Sequence, residues 1–345
     1  MTSPAPKPPA IKKAPAKATS LEELITPNDE VEFAPRLLMA NFGGPGSFKT
    51  RIFATACEVE ETSPLLYIPY EPIPTSIPDL LARDDFDVLE PRLKAGTKSL
   101  YKFTIEDILP LIAKSQGKYR AYFFDGVCSL MMDSAFADAR RECHIADLSA
   151  ASRNSKPPTH SEDYPCRQCY NRLVLKAQIF ISGIRDLWKS NPDGAAHILM
   201  SFREKNHQTV EGKGDAAITI STFKADLPAA TLRMMTHDIQ TYFRLQSSWG
   251  PVKDEKGQPV RGEGGRGFVS DYRLNITAAR SDAVDARDNS GKLKGAVNLG
   301  GRDIHFFEIY NRMYPGQGTR KVKAEGFEFS VLEEPDSKDK AEATV

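Results

Sequence analysis

The sequence has no net charge, because its 46 basic and 46 acidic residues cancel over 345 positions. That excludes a global basic field able to gather nucleic acid, so any such binding has to come from a local patch. It has no apolar run approaching the ~20 residues of a membrane span, so no membrane role is expected. The opening stretch, MTSPAPKPPAIKKAPAKATS, lacks the apolar core of a secretory leader. Five cysteines are too few for a disulfide framework in a chain this long, which points to a reducing, cytoplasmic setting. No internal repeat is visible. What is present, 40% apolar and 27% charged residues, suits a globular protein of one large α/β domain or two small ones.

The most informative stretch is RLLMANFGGPGSFKT, Arg36 to Thr50. An apolar strand (Leu37, Leu38, Met39, Ala40) runs into a glycine-rich loop and then Lys49-Thr50. A phosphate-binding loop needs this order. The strand fixes the loop, and glycines let backbone N–H groups turn inward around a polyphosphate. The lysine reaches its terminal oxygens, and the hydroxyl serves Mg²⁺. In the pattern G-x-x-x-x-G-K-[ST], Gly43 takes the first place, Lys49 the lysine and Thr50 the hydroxyl. Gly43, Gly44, Pro45, Gly46, Ser47, Phe48, Lys49 and Thr50 together form the candidate nucleotide cradle. Phe48 stands where the second glycine is expected.

Two further apolar strands end in acids. LLYIPYEP (Leu65–Pro72) ends at Glu71, and Tyr119–Phe124 ends at Asp125. In open α/β sheets the carboxyl ends of the strands carry the site. Glu71 is a candidate to polarise an attacking water, with a solvated strand-end acid as the alternative. Asp125 is a candidate to orient Mg²⁺, the Walker B role. Ser129 and Asp133 lie just beyond. A buried strand over 195–202 places Ser201, Arg203 and Glu204 at its end, and His197 within it reads as a core residue.

The remaining chain gives an outline. Residues 1–30, rich in Pro, Ala, Lys and Ser, read as a disordered tail, and so do 331–345. Arg51–Glu61 reads as helical. Phe86–Leu89 and Leu100–Phe103 are weak strand candidates, and a helix capped at Thr104 is expected to run to Ser115. Residues 138–169 read as a loop-rich insertion. Cys166-Arg-Gln-Cys169 within it is one C-x-x-C pair, whereas a structural zinc site needs four ligands; Cys143 and either His144 or His160 are the residues that could complete one. Tyr170–Lys189 has helical apolar spacing. Residues 216–223 and 268–277 read as strands, 227–245 holds a proline-initiated helix, 249–267 is a polar glycine-rich loop with a basic excess, and 304–310 is a final strand or short helix.

The order of the Gly43–Thr50 loop, Glu71, Asp125, the 196–202 strand and Arg287 resembles the RecA-like ATPases, above all the phage-type recombination and single-strand-annealing group. The resemblance spans about residues 33–312, and the loop is its specific part. It implies an α/β fold over 31–330, with a mainly parallel twisted sheet and helices on both faces. It also implies ATP and Mg²⁺ as ligands, hydrolysis of the γ-phosphate, a homo-oligomer with ATP between subunits, and single-stranded DNA as partner in a bacterial or phage-infected cytoplasm. Lys49, Glu71, Asp125 and Arg287 would be catalytic, and Thr50 and Asp125 would serve the metal. Arg287 stands in DAR where the family often has K-x-R reaching a neighbouring subunit's ATP, and Asp285 replaces the lysine. Alternatives are a RepA-type hexameric replicative helicase and a nucleotide-binding scaffold with little hydrolysis.

Overall fold

Strands buried from end to end make the centre of the molecule. β1 (Leu38–Gly43), β2 (Leu65–Pro69) and β4 (Ala121–Asp125) have no exposed residue, as strands covered on both faces require. The computed structural model describes residues 35–115, 117–154, 165–189, 197–211, 218–251, 256, 258–261, 270–278, 280–281, 284–293, 296–298 and 305–321. The expected tails at 1–30 and 331–345 lie outside the described residues, as does most of the 249–267 loop.

The other strands are β3 (Phe86–Val88), β5 (His197–Glu211), β6 (Ile218–Ala225), β7 (Thr241–Pro251), β8 (Ser270–Thr277), β9 (Arg287–Asp288) and β10 (Ala296–Asn298). The sheet runs β3-β2-β4-β5-β1-β7-β8-β10, with β6 on β5 and β9 on β7. Pairings from β3 across to β7 are parallel. Those of β5 with β6, β7 with β8 and β9, and β8 with β10 are antiparallel. The result is an α/β fold with a mixed, mostly parallel central sheet.

Period-two alternation divides the core. Leu38, Ala40 and Phe42 face one apolar cluster with Ile68, Phe124 and Met200. Leu37 and Met39 face the other, with Tyr67, Phe123 and Leu199. The first face is covered by α3 (Arg167–Lys189), which presents Leu173, Ala177, Phe180, Ile181, Ile184 and Leu187 at helical spacing, and by α4 (Ala229–Thr236), which adds Leu232 and Met235. Phe180 meets Phe124 edge-on at 6.0 Å. The second face is covered by α1 (Lys49–Ala54) and α5 (Phe306–Met313). Phe53 of α1 packs edge-on against Phe123, Phe243 and Phe306 at 5.6, 5.8 and 5.9 Å, a favoured geometry for aromatic quadrupoles.

Three expectations are corrected. Leu100–Phe103 is helical, not a strand: the Ser99 hydroxyl accepts the Lys102 N–H at 3.2 Å as its cap. The helix then continues through Thr104–Ile108, so Thr104 is an interior residue rather than a cap. Over 138–154 the expected loop-rich insertion is instead α2 (Phe136–Asn154), and α3 begins at Arg167, while residues 155–164, with His160, lie outside the described residues. Polarity suggested a loop, but ADARRECHIADLSAA is dense in strong helix formers, and Ala139 and Cys143 bury a narrow stripe. The final element over 304–310 is the helix α5. Among the described residues, no helix is long and apolar enough to cross a membrane.

Candidate phosphate site

β1 delivers its chain to the sheet's carboxyl edge at Gly43. A side chain there would meet the Leu245 carbonyl at 2.4 Å and the Ser47 hydroxyl at 2.5 Å, so only glycine lets the loop turn this close to β7. The turn closes on itself. The Ser47 hydroxyl donates to the Gly44 carbonyl at 2.8 Å, and its N–H does so at 3.3 Å. Pro45 and Gly46 form the exposed tip. Phe48 takes the left-handed conformation (φ 58°, ψ 23°) and is 40% exposed. A side chain in that region costs about 1–2 kcal/mol, which is why a glycine is the usual occupant.

Lys49 folds its ammonium back into the loop, donating to the Gly44 carbonyl at 2.9 Å and approaching the Ser47 hydroxyl at 3.5 Å. Burial lowers its pKa, while the charges of Asp125, Glu71 and Glu204 push the other way. The lysine is thus partly desolvated, with three carboxylates close enough to hold its charge. Asn41, one residue before Phe42 in β1, donates from Nδ2 to the Lys49 carbonyl at 3.1 Å and so ties α1 to the strand.

Thr50 is the second residue of α1, and its hydroxyl donates to Asp125 Oδ2 at 2.8 Å, across 75 residues of sequence. Asp125 is the last residue of β4 and is only 6% exposed. Tyr67 of β2 donates to the same oxygen at 2.8 Å, and Ser201 of β5 bonds the other. The Ser201 hydroxyl also accepts the Gly126 N–H at 2.9 Å. Burial raises the Asp125 pKa and the Glu71 charge adds to the rise, against the three hydroxyl donors that favour the carboxylate. Burial likewise pushes the Tyr67 phenol up, so it stays a donor.

β2 stops at Pro69, and Glu71 lies two residues beyond it. Parallel pairing sets Pro69 opposite Asp125, which brings Glu71 against Gly126; a Cβ on Gly126, at φ 74°, would lie 2.6 Å from the Glu71 side chain. Ser129 donates to Glu71 Oε1 at 2.7 Å, and Arg203 Nε stands 3.7 Å from the same oxygen. Glu204, beside Gly44, is held by Arg244 at 2.6 and 3.1 Å. Arg244 in turn stacks on the Phe223 ring, 3.8 Å from its centroid.

The structure therefore gathers the Gly43–Thr50 loop, Glu71, Asp125, Ser129, Ser201, Arg203 and Glu204. It leaves Asp133 exposed. Arg287 is placed elsewhere: it pairs with Tyr242 in β9 and lines a cleft with Lys224, Arg233, Arg280 and Asp285 that includes no residue of the loop. Asn41, Tyr67 and Arg244 are site residues that sequence reading missed. Tyr67 alone left a signal, since a tyrosine inside a fully buried strand needs a partner for its hydroxyl.

Thr50 and Asp125 offer hydroxyl and carboxylate oxygens only, a donor set suited to a hard divalent cation such as Mg²⁺ and not to zinc or copper. No protein-family model matches this chain, and no curated protein matches it significantly.

Proposed function

We propose that this chain is a Mg²⁺-dependent ATPase of RecA-like type, with Gly43–Thr50 as its phosphate cradle. The observation that carries the reading is the 2.8 Å hydrogen bond from Thr50 to Asp125, made at the mouth of a glycine loop that holds a partly buried lysine. A buried carboxylate needs donors, and here one of them is the hydroxyl beside the loop lysine, the pair of groups that would hold the metal.

On this reading the Lys49 ammonium exchanges its bonds within the loop for the terminal phosphate oxygens, and the loop amides bind the remainder. Mg²⁺, taken up at Thr50 and Asp125, would neutralise charge on the β- and γ-phosphates. Glu71, oriented by Ser129 and Arg203, is the base: it accepts the proton of a water whose oxygen bonds to the γ-phosphorus as the bond to ADP breaks. Arg203, beside Glu71, would offer its charge to the growing negative charge on the phosphoryl group. Tyr67 and Ser201 position Asp125 without touching substrate.

The homo-oligomer and the single-stranded DNA partner rest on the resemblance, with Arg287 completing the neighbour's site. The cluster of Lys224, Arg233 and Arg280 around Arg287, against Asp285, adds a local cationic surface to a chain of zero net charge. A scaffold with little hydrolysis is the second reading, and two departures from the family's pattern keep it open: Phe48, a left-handed side chain where a glycine is expected, and Asp285 in place of the lysine.

The test is phosphate release from ATP and Mg²⁺, with and without single-stranded DNA, on wild type and Lys49→Ala. Release that DNA stimulates and Lys49→Ala abolishes supports the full reading. DNA-independent release removes the DNA partner. Binding without release favours the scaffold.

A further inference from the structure

Three of the five cysteines converge far from the phosphate loop in sequence. Cys143 lies on α2, while Cys166 and Cys169 sit at the start of α3, and their sulfurs all fall within 4.8 Å of one another. The Cys166 and Cys169 sulfurs are 3.3 Å apart. Cys143 and Cys169 are buried at 3% and 0% exposure, and Cys166 is half-buried. A tetrahedral zinc ion with Zn–S bonds near 2.3 Å holds its sulfurs about 3.8 Å apart, so small rotations of these side chains would close the site on one ion.

The spacing argues in the same direction. A C-x-x-C pair straddling a helix start offers two sulfurs to one ion, and by itself it serves redox chemistry equally well. The third thiol decides between them. A dithiol switch is complete with its two sulfurs, whereas a metal site needs the third. Soft thiolates select zinc over the hard cations suited to the phosphate site. Neighbouring contacts already hold the two helices in register: Phe136 packs against Tyr170, their rings tilted at 38° with centroids 4.9 Å apart, and Glu142 of α2 accepts from Lys176 and Arg172 of α3 at 2.8 and 3.2 Å.

We propose that Cys143, Cys166 and Cys169 bind one Zn²⁺ through three thiolates, with the fourth position open to solvent beside Cys166. Binding displaces the thiol protons and adds a cross-link between α2, which continues the chain after Asp125, and α3, which covers one face of the sheet. The site is independent of the ATPase reading and stands or falls apart from it.

The experiment is zinc analysis of the full chain, purified without chelator in reductant and desalted after incubation with Zn²⁺. The expected result is about one zinc per chain, falling more than tenfold in Cys166→Ser and Cys143→Ser. Cys166 is half-buried, so its serine variant should fold. Wild type loaded with Co²⁺ supplies a second readout, a thiolate-to-cobalt charge-transfer band that intact protein shows and Cys166→Ser weakens. Zinc far below stoichiometry together with no thiolate–cobalt band overturns the proposal. So does zinc content unchanged by both substitutions. A Cys166–Cys169 disulfide that forms in air, in protein that takes up no zinc after reduction, also overturns it and assigns a redox pair instead.

Discussion

Lys49 is held in waiting by its own loop. Its ammonium bonds the Gly44 carbonyl and approaches Ser47, contacts that a polyphosphate would replace. On the proposed ATPase reading, Lys49→Ala should lower hydrolysis by at least ~10²-fold, the scale of losing one charged contact to a transition state. It should leave the melting temperature close to wild type, because a partly desolvated charge is removed with it. Asp125 makes the opposite trade between stability and function. Its folded pKa is raised, so the folded chain holds a proton that the unfolded chain gives up once pH passes about 4. Its contribution to stability is therefore complete below that point and is lost as pH rises through the folded value. Asp125→Asn should accordingly raise the melting temperature of nucleotide-free protein at pH 7 and, on the proposed ATPase reading, abolish hydrolysis. A lower melting temperature would show that the three hydroxyl donors outweigh burial.

The elements explain why these side chains meet. β5 lies between the loop strand β1 and the acid strand β4, and its Ser201 joins Asp125 to the Gly126 N–H. Ser201→Ala leaves that buried N–H without its acceptor, and chemical denaturation should show a loss of about 1–3 kcal/mol. The other end of β5 sets an acid limit. His197 is fully buried, and its Nδ1 accepts the Leu37 N–H at 3.2 Å. Burial pushes its pKa down to about 3. Below the ordinary value near 6.5 the unfolded chain takes a proton that the fold refuses, so stability is complete above that value and falls as pH drops toward 3. Between pH 7 and 5 the His197 share of that loss should be ~2 kcal/mol, and His197→Gln should shrink it in urea melts.

Much of this was legible in the chain and some was not, for physical reasons. Buried strands ending at Gly43, two residues short of Glu71 and at Asp125 announce themselves because two-sided burial demands unbroken apolar runs. Tyr67 and Asn41 stayed hidden because their partners lie on other strands, and pairing register is not written locally. The helix over 136–154 was concealed by its polarity, since only a narrow stripe is buried and the apolar period is faint.

At the scale of the whole molecule, the sheet is a platform whose carboxyl edge holds the loop, Glu71 and Asp125 together, while Arg287 lies in a cleft apart from them. If Arg287 completes a neighbour's site, Arg287→Ala should leave ATP binding by the isolated chain intact and lower hydrolysis only under conditions of assembly. Mixing that variant with Lys49→Ala should then restore part of the activity. Sedimentation velocity across a concentration series reports the assembly itself.

The claim on which the rest depends is that Gly43–Thr50 binds the phosphates of a nucleotide. Titration calorimetry with ATP and Mg²⁺ tests it most directly, on wild type and Lys49→Ala side by side. The account predicts saturable binding by wild type, weakened at least ~10-fold by the substitution, which corresponds to about 1.4 kcal/mol. Equal affinity in the two proteins, or no binding by a folded wild type, would contradict it.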